Sequence, residues 1–332
     1  MRKGAPGYLE PEPGEHTVVV DDGLDTNRLR DCLSGLRAAE LKVPAETFLH
    51  GIDNIQSLIA LPIVLISYFV IPYQLPEMYV HALNNLGFTG QALFTPEEAN
   101  NVAEEMERLR LEEIRRLGDG TLIEESTSLL YQMMRLESVH AAIGALLSSG
   151  ITAAWTAFEC LAHDVWQSIL NTYPIPLGQR AFEAASAEPA TDGISKKMIE
   201  VSLLAKHSYD LRNCLGDLLE SKFDFTRPEG IKKAYAAAFG STFEALRDLD
   251  TEETKSLHQI RNLFVHKAGL VDQQYKERTN STQAIGEFVN INGTADVRKH
   301  ANAAIGAGCR LLEEVDKSLI QLKAKPKSNT VT

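Results

Sequence analysis

One pattern limits the possible folds of this chain more than any other. From Leu129 the apolar residues recur at spacings of three and four: Leu129, Met133, Leu136, His140, Ile143 and Leu147. After Gly150 the pattern thickens into Ala154, Trp155, Phe158, Leu161, Ala162, Val165, Trp166, Ile169 and Leu170. Such spacing places every apolar side chain on one helical face, so a long core helix is expected. It ends before Pro174-Ile175-Pro176, and 174–194 reads as loop. Further helices are expected at 195–207, 210–219, 229–239, 251–267 and 296–322. After residue 130 only 284–291 has strand character, with Asn292-Gly293 placed to turn a small hairpin. The fold class is therefore all-α: a helical bundle after about residue 130, without internal repeats.

The N-terminal part is different in kind. Residues 1–16 are rich in Gly, Pro and Glu and are expected to be disordered. Residues 17–20 read as a short strand and 26–41 as a helix, and 17–130 is expected to be a mostly helical acidic region to which the sequence assigns no role. Thr95-Pro96-Glu97-Glu98 is a helix start, with a capping hydroxyl, proline at the first position and a glutamate three residues after the cap. Glu104/Arg108 and Glu112/Arg116 have supporting four-residue spacing, and Gly118 closes the helix.

Between 54 and 76 there is no charged residue, which approaches a membrane-spanning length. Pro62 and Pro72 interrupt it. No Lys or Arg lies between Lys42 and Arg108, so the only nearby positive flank is N-terminal and a span would export the rest of the chain. A buried or partner-facing segment is the favoured reading, with membrane association the alternative.

The charge is lopsided. Residues 1–130 carry 10 Lys+Arg against 21 Asp+Glu; the remainder carries 23 against 24, within a net charge of −12. This excludes a protein that coats nucleic acid through bulk charge, but not a small basic site. Cys32, Cys160, Cys214 and Cys309 are scattered, with no zinc or redox spacing, and the first residues have no apolar signal core. A cytoplasmic location is expected.

The chemistry-bearing string is Arg261-Asn262-Leu263-Phe264-Val265-His266, followed by Gly269-Leu270-Val271-Asp272. Arginine holds a phosphate with a planar fork of donors. Histidine exchanges protons near neutral pH. On a helix with Leu257, Ile260, Leu263 and Phe264 buried, Asn262 and His266 stack four apart. Arg261 lies about 140° round from His266 and must use its length to reach the same cleft. The plain alternative is a surface arginine with a histidine at a helix end. Arg212-Asn213 repeats the start of the string without the histidine. His163-Asp164 and His140 read as helix-face residues. Asn280-Ser281-Thr282 and Asn292-Gly293-Thr294 are formal glycosylation sequons, without meaning in a cytosolic protein.

The string resembles the Arg–X(4–6)–His signature of HEPN domains (higher eukaryotes and prokaryotes nucleotide-binding), in which Asn after the Arg is common. Ser148-Ser149-Gly150, Trp155, Phe158-Glu159 and Asp164-Val165-Trp166 are similar to that family's first long helix. Phe223-Asp224-Phe225, Ile231, Tyr235 and Phe239-Gly240 resemble the connector of its RiboL-PSP-like branch, as does Gly269–Asp272. The resemblance covers about 137–324 and leaves a basic tail at 325–332. It implies a homodimeric, metal-independent ribonuclease with an RNA substrate and no cofactor. One histidine would deprotonate the 2′-hydroxyl, the other would protonate the 5′-oxygen, and arginines would stabilise the phosphorane, leaving a 2′,3′-cyclic phosphate. Arg261 and His266 are the implied catalytic residues, Asn262 an orienting residue, and Glu159 a secondary candidate that could pair with Arg261. A toxin–antitoxin or anti-phage role follows, with an antitoxin or regulatory partner at the N-terminal region. The alternative is a non-catalytic HEPN module for dimerisation or for nucleotide or partner binding.

Overall fold

The computed structural model describes residues 24–88, 94–117, 133, 135–187, 201–210 and 213–324. The expected disorder at 1–16, the strand at 17–20, Leu129, helical residues 195–200, Arg212 and the tail at 325–332 lie outside the described residues. Among the described residues the chain is all-α. The helices are α1 (Thr26–Gly35), α2 (Lys42–Asn85), α3 (Pro96–Leu117), α4 (Glu137–Thr172), α5 (Gln179–Ala187), α6 (Val201–Lys206), α7 (Leu215–Leu219), α8 (Pro228–Phe239), α9 (Glu252–Lys267), α10 (Gln273–Thr279) and α11 (Gly293–Ala324).

The chain divides into two compact units. One holds residues 24–56 and 147–324, the other 57–146, so α2 and α4 each contribute to both. The division does not follow the boundary expected near 130. Leu29, Leu41, Phe48, Ile52 and Ile55, from the stretch grouped with a separate N-terminal region, are core residues of the larger unit, each at most 2% exposed.

The core of the larger unit is the apolar face of α4. Trp155, Phe158, Leu161, Val165, Trp166 and Ile169 are all at most 1% exposed. Burying each such side chain stabilises the fold by roughly 1.5–3 kcal/mol. Two rings lock α4 to α8 reciprocally: Trp166 Nε1 donates to the Ala234 carbonyl at 3.0 Å, and Tyr235 Oη donates to the Ala162 carbonyl at 2.8 Å. Phe223 and Phe225 pack edge-on against Trp166, with centroids at 5.1 and 5.4 Å. On α11, Gly308 allows close approach: a Cβ there would lie 2.6 Å from the Phe48 ring and 3.0 Å from Leu161.

Several boundaries differ from the sequence expectation, each for a local reason. The helix expected over 26–41 stops at Gly35. The chain then runs extended to Ala38, because the Asp316 carboxylate of α11 accepts from the backbone N–H groups of Arg37 (3.0 Å) and Ala38 (2.7 Å). The loop expected at 174–194 contains a turn at Pro174–Gly178 and then α5. Of the helix expected at 210–219, Leu215–Leu219 is helical; Asn213, at φ +58°, breaks the turn before it. The 284–291 segment pairs back onto the end of α9 instead of forming a hairpin at Asn292-Gly293. Leu270 bridges Phe288, and Val289 N–H donates to the Gly269 carbonyl at 2.8 Å. Asn292-Gly293 opens α11. Helix α10 was not expected; the Asp272 carboxylate caps it by accepting from Tyr275 N–H at 2.8 Å.

In the smaller unit, the Thr95 capping box forms as read: Glu98 accepts from Thr95 N–H at 2.8 Å, and Thr95 Oγ1 accepts from Glu98 N–H at 3.3 Å. Arg108 pairs with Glu105 and Glu112 rather than Glu104. These exposed pairs add little. The apolar 54–76 run lies on α2, whose backbone stays helical through Pro62 and Pro72. By length and composition α4 could also cross a bilayer, but its 147–170 portion is the core just described. The four cysteines are free.

Asp316→Ala is expected to leave the buried Ala38 N–H without an acceptor and to cost about 2 kcal/mol. A lowered urea midpoint, with hydrogen exchange accelerated first at 36–41, is the expected result; an unchanged midpoint would remove Asp316 from its anchoring role.

Candidate functional site

Helix α9 carries the Arg261–His266 string, and its ends are well defined. Thr251 caps the start, accepting from Thr254 N–H at 3.3 Å, and Glu252 and Glu253 favour the N-terminal end of the dipole. The other end turns left-handed at Ala268 (φ +50°) and Gly269 (φ +81°), and both N–H groups return to the Leu263 carbonyl. Gly269 is obligatory there: besides its backbone angle, a Cβ would lie 2.7 Å from the Phe288 ring.

The buried face of α9 comprises Leu257, Ile260, Leu263 and a residue the sequence reading did not single out, His258. His258 is 3% exposed, and its ring lies 4.7 Å from that of Trp155 on α4. Its Nε2 faces the Asn262 side-chain nitrogen at 3.2 Å and its Nδ1 faces that of Gln259 at 3.3 Å. Asn262 Oδ1 in turn accepts from Arg261 Nη1 at 3.1 Å. That bond fixes the Asn262 amide, so its NH₂ donates and His258 Nε2 accepts; Nδ1 must then carry the ring proton. The proton on Nδ1 requires the Gln259 amide to turn its oxygen inward. In the structure as it stands, that oxygen accepts a long 3.5 Å hydrogen bond from Arg278. Burial drives the His258 pKa down to about 4, and the charges of Arg261, Arg278 and Arg227 push the same way against Glu229. His258 is neutral at physiological pH.

The expected partners fall out as follows. Glu159 does lie against Arg261, with Oε2 3.7 Å from Nη2, an ion pair too long for a hydrogen bond. Burial raises the Glu159 carboxyl pKa, while the Arg261 charge opposes the rise. Asn262 does not orient His266: its amide is turned to His258, four residues in the other direction. His266 is exposed, in the last turn of α9.

Arg261 and His266 nevertheless open onto one cleft of about 740 Å³. Its lining includes four fixed cations, Arg227, Arg261, Lys267 and Arg278, against two carboxylates, Glu229 and Asp272. A basic cleft on a chain of net charge −12 is a local concentration of charge. Arg227 comes from the N-cap of α8 and Arg278 from α10, so three elements converge on it. The spacing of Asn262 from His258, four residues, was the available signal for the buried histidine. Arg227 and Arg278 had no signal in sequence, because they reach the cleft only through the fold.

The other singled-out residues lie elsewhere. His163 is held by Asp164 at 2.9 Å and Glu220 at 3.4 Å, and sits edge-on to Phe225. The Asp164 hydrogen bond raises its pKa more than burial lowers it. No group of three or more His, Cys, Asp or Glu side chains suited to a metal occurs among the described residues. No family model, curated protein or solved structure matches the chain.

His258 and His300, both buried with pKa values lowered to about 4 by burial, make stability fall in acid. Unfolded, each ring binds a proton below about 6.5, whereas folded it stays neutral. Stability is therefore complete above about pH 6.5 and declines towards pH 4, by up to about 3 kcal/mol for each ring. Urea titrations at pH 7, 6 and 5 should show the decline. His258→Gln should lower the pH 7 midpoint yet flatten the slope; an equally steep slope would mean the ring titrates normally.

Proposed function

We propose that this protein is a metal-independent endoribonuclease of HEPN type that works as a homodimer. One observation carries the reading: Arg261 and His266, some 140° apart on an ideal helix, share one basic cleft. The guanidinium is braced by Glu159 and Asn262, and Nη1, which gives one of its two N–H groups to Asn262, keeps a second donor for a phosphate oxygen. His266 is the proton-transfer group. It would take the 2′-hydroxyl proton in one copy and protonate the 5′-oxygen in the other, leaving a 2′,3′-cyclic phosphate. His258 cannot serve as the second group, because its ring is buried, neutral and committed to Asn262. A second copy must supply it.

A non-catalytic reading has its own support: among the described residues no side chain or backbone group hydrogen-bonds the His266 ring, so none of them sets its orientation. In that case the cleft holds a nucleotide or RNA without cutting.

His266→Ala should lower cleavage by roughly 10²–10⁴-fold, the usual worth of a general acid–base group. Arg261→Ala should lose roughly 10²–10³-fold through weaker stabilisation of the phosphorane. Arg212→Ala, the decoy, should change nothing, and EDTA should leave the wild type active. One gel carries all four comparisons. Full activity in His266→Ala, or loss with EDTA, removes this mechanism; no cleavage by the wild type favours the binding module.

Light scattering at micromolar concentration should give twice the chain mass of 36.6 kDa. A strict monomer that still cleaves RNA would exclude the two-histidine scheme.

A further inference from the structure

We infer that the same cleft contains a second phosphate subsite, built by Arg227 and Arg278, that grips a neighbouring phosphodiester of single-stranded RNA. The inference deepens the ribonuclease reading and rests on it for the identity of the strand. It starts from three arginines that converge from three elements. Arg227 precedes α8, Arg261 is in α9 and Arg278 is in α10, and all three line the cleft. Their charges all bear on one ring, His258.

Like charges gathered in one cleft repel unless something anionic joins them, and the lining supplies two carboxylates, Glu229 and Asp272, against four cations. Arg261 has Glu159 and Asn262. Among the described residues Arg278 makes one side-chain hydrogen bond, a long 3.5 Å contact to Gln259. Arg227 has one loose pair, Nε to Asp224 Oδ2 at 3.6 Å, with both side chains more than half exposed. Such a pair is worth little. Both arginines are exposed and can swing to a ligand.

A single phosphate at Arg261 and His266 does not use them. Successive phosphates of an extended strand do. The lining also shows what kind of reading is made. Among the described residues that line it, Tyr275 is the one aromatic side chain besides the two histidines, and it is 8% exposed. The cleft offers charge rather than a stacking surface, so it binds backbone with little preference for base.

The test uses the full-length protein and a fluorescent 12-nucleotide 2′-O-methyl oligouridine, which lacks the nucleophile needed for cleavage. Anisotropy titrations from 50 to 200 mM salt give affinity and its salt dependence. Arg227→Ala and Arg278→Ala should each weaken binding about tenfold at low salt and reduce the log–log salt slope by about 0.7. Lys255→Ala, on the same helix as Arg261 but outside the cleft, removes one charge and should stay within twofold of the wild type.

Wild-type affinity in both arginine variants overturns the subsite, as does equal weakening by Lys255→Ala or no binding by the wild type. A parallel gel with ordinary RNA separates the two readings. If Arg227 and Arg278 govern binding but the wild type does not cut, the subsite stands and the nuclease reading falls. If the wild type cuts while both arginine variants bind normally, the subsite falls alone.

Discussion

The site depends on a closed loop of contacts between α4 and α9. Trp155 packs against His258; His258 accepts from Asn262; Asn262 accepts from Arg261; Arg261 faces Glu159. Trp155 and Glu159 are four residues apart on α4, so the loop returns to the helix where it began. Each member fixes the next. The indole sets the imidazole plane, the imidazole sets the amide, and the amide and carboxylate together aim the guanidinium. A neutral His258 is the condition for this, because a doubly protonated ring could not accept from Asn262. Burial against Trp155 enforces that neutrality.

The loop explains an otherwise odd division of labour. Three polar side chains, Glu159, His258 and Asn262, are spent on aiming one arginine, and none of them on the histidine that would move protons. An arginine needs such support because its long side chain loses much rotamer freedom when held in one place. The ring of His266, in the last turn of α9, has no hydrogen-bond partner among the described residues. On the proposed reading its orientation is completed by RNA or by the second copy.

How much of this was legible in sequence varied with the range of the forces involved. The long core helix, α8, α9 and α11 were readable because periodicity, caps and stop signals are local: Thr251 before α9, Gly269 after it, Pro228 at the start of α8. The pairing of Arg261 with Glu159 was readable through family resemblance. The turn of Asn262 towards His258 was not. Spacing alone makes His258 and His266 equivalent neighbours of Asn262, and only the Trp155 ring, about a hundred residues away in sequence, decides between them. The break at Leu36–Ala38 was hidden for the same reason, since its cause is Asp316 on α11. Helix α10 was too short to show a period, and it is the element that delivers Arg278.

Net charge misleads most in this chain, and the reason is physical. Charges more than about 8 Å apart are largely screened at physiological salt, so an anion approaching the cleft responds to its lining rather than to the total of −12. The lining is positive because Arg227, Arg261, Lys267 and Arg278 outnumber Glu229 and Asp272. Beneath the arginines lies an imidazole that burial keeps uncharged. Were it protonated, it would add a further buried cation and lose its bond to Asn262, weakening the aim of Arg261 while raising the repulsion among the three arginines. On the proposed reading, keeping the floor neutral and the walls guanidinium separates two tasks that one histidine could not combine: holding the geometry, which requires a ring that does not titrate, and attracting phosphate, which requires charge that persists at every physiological pH.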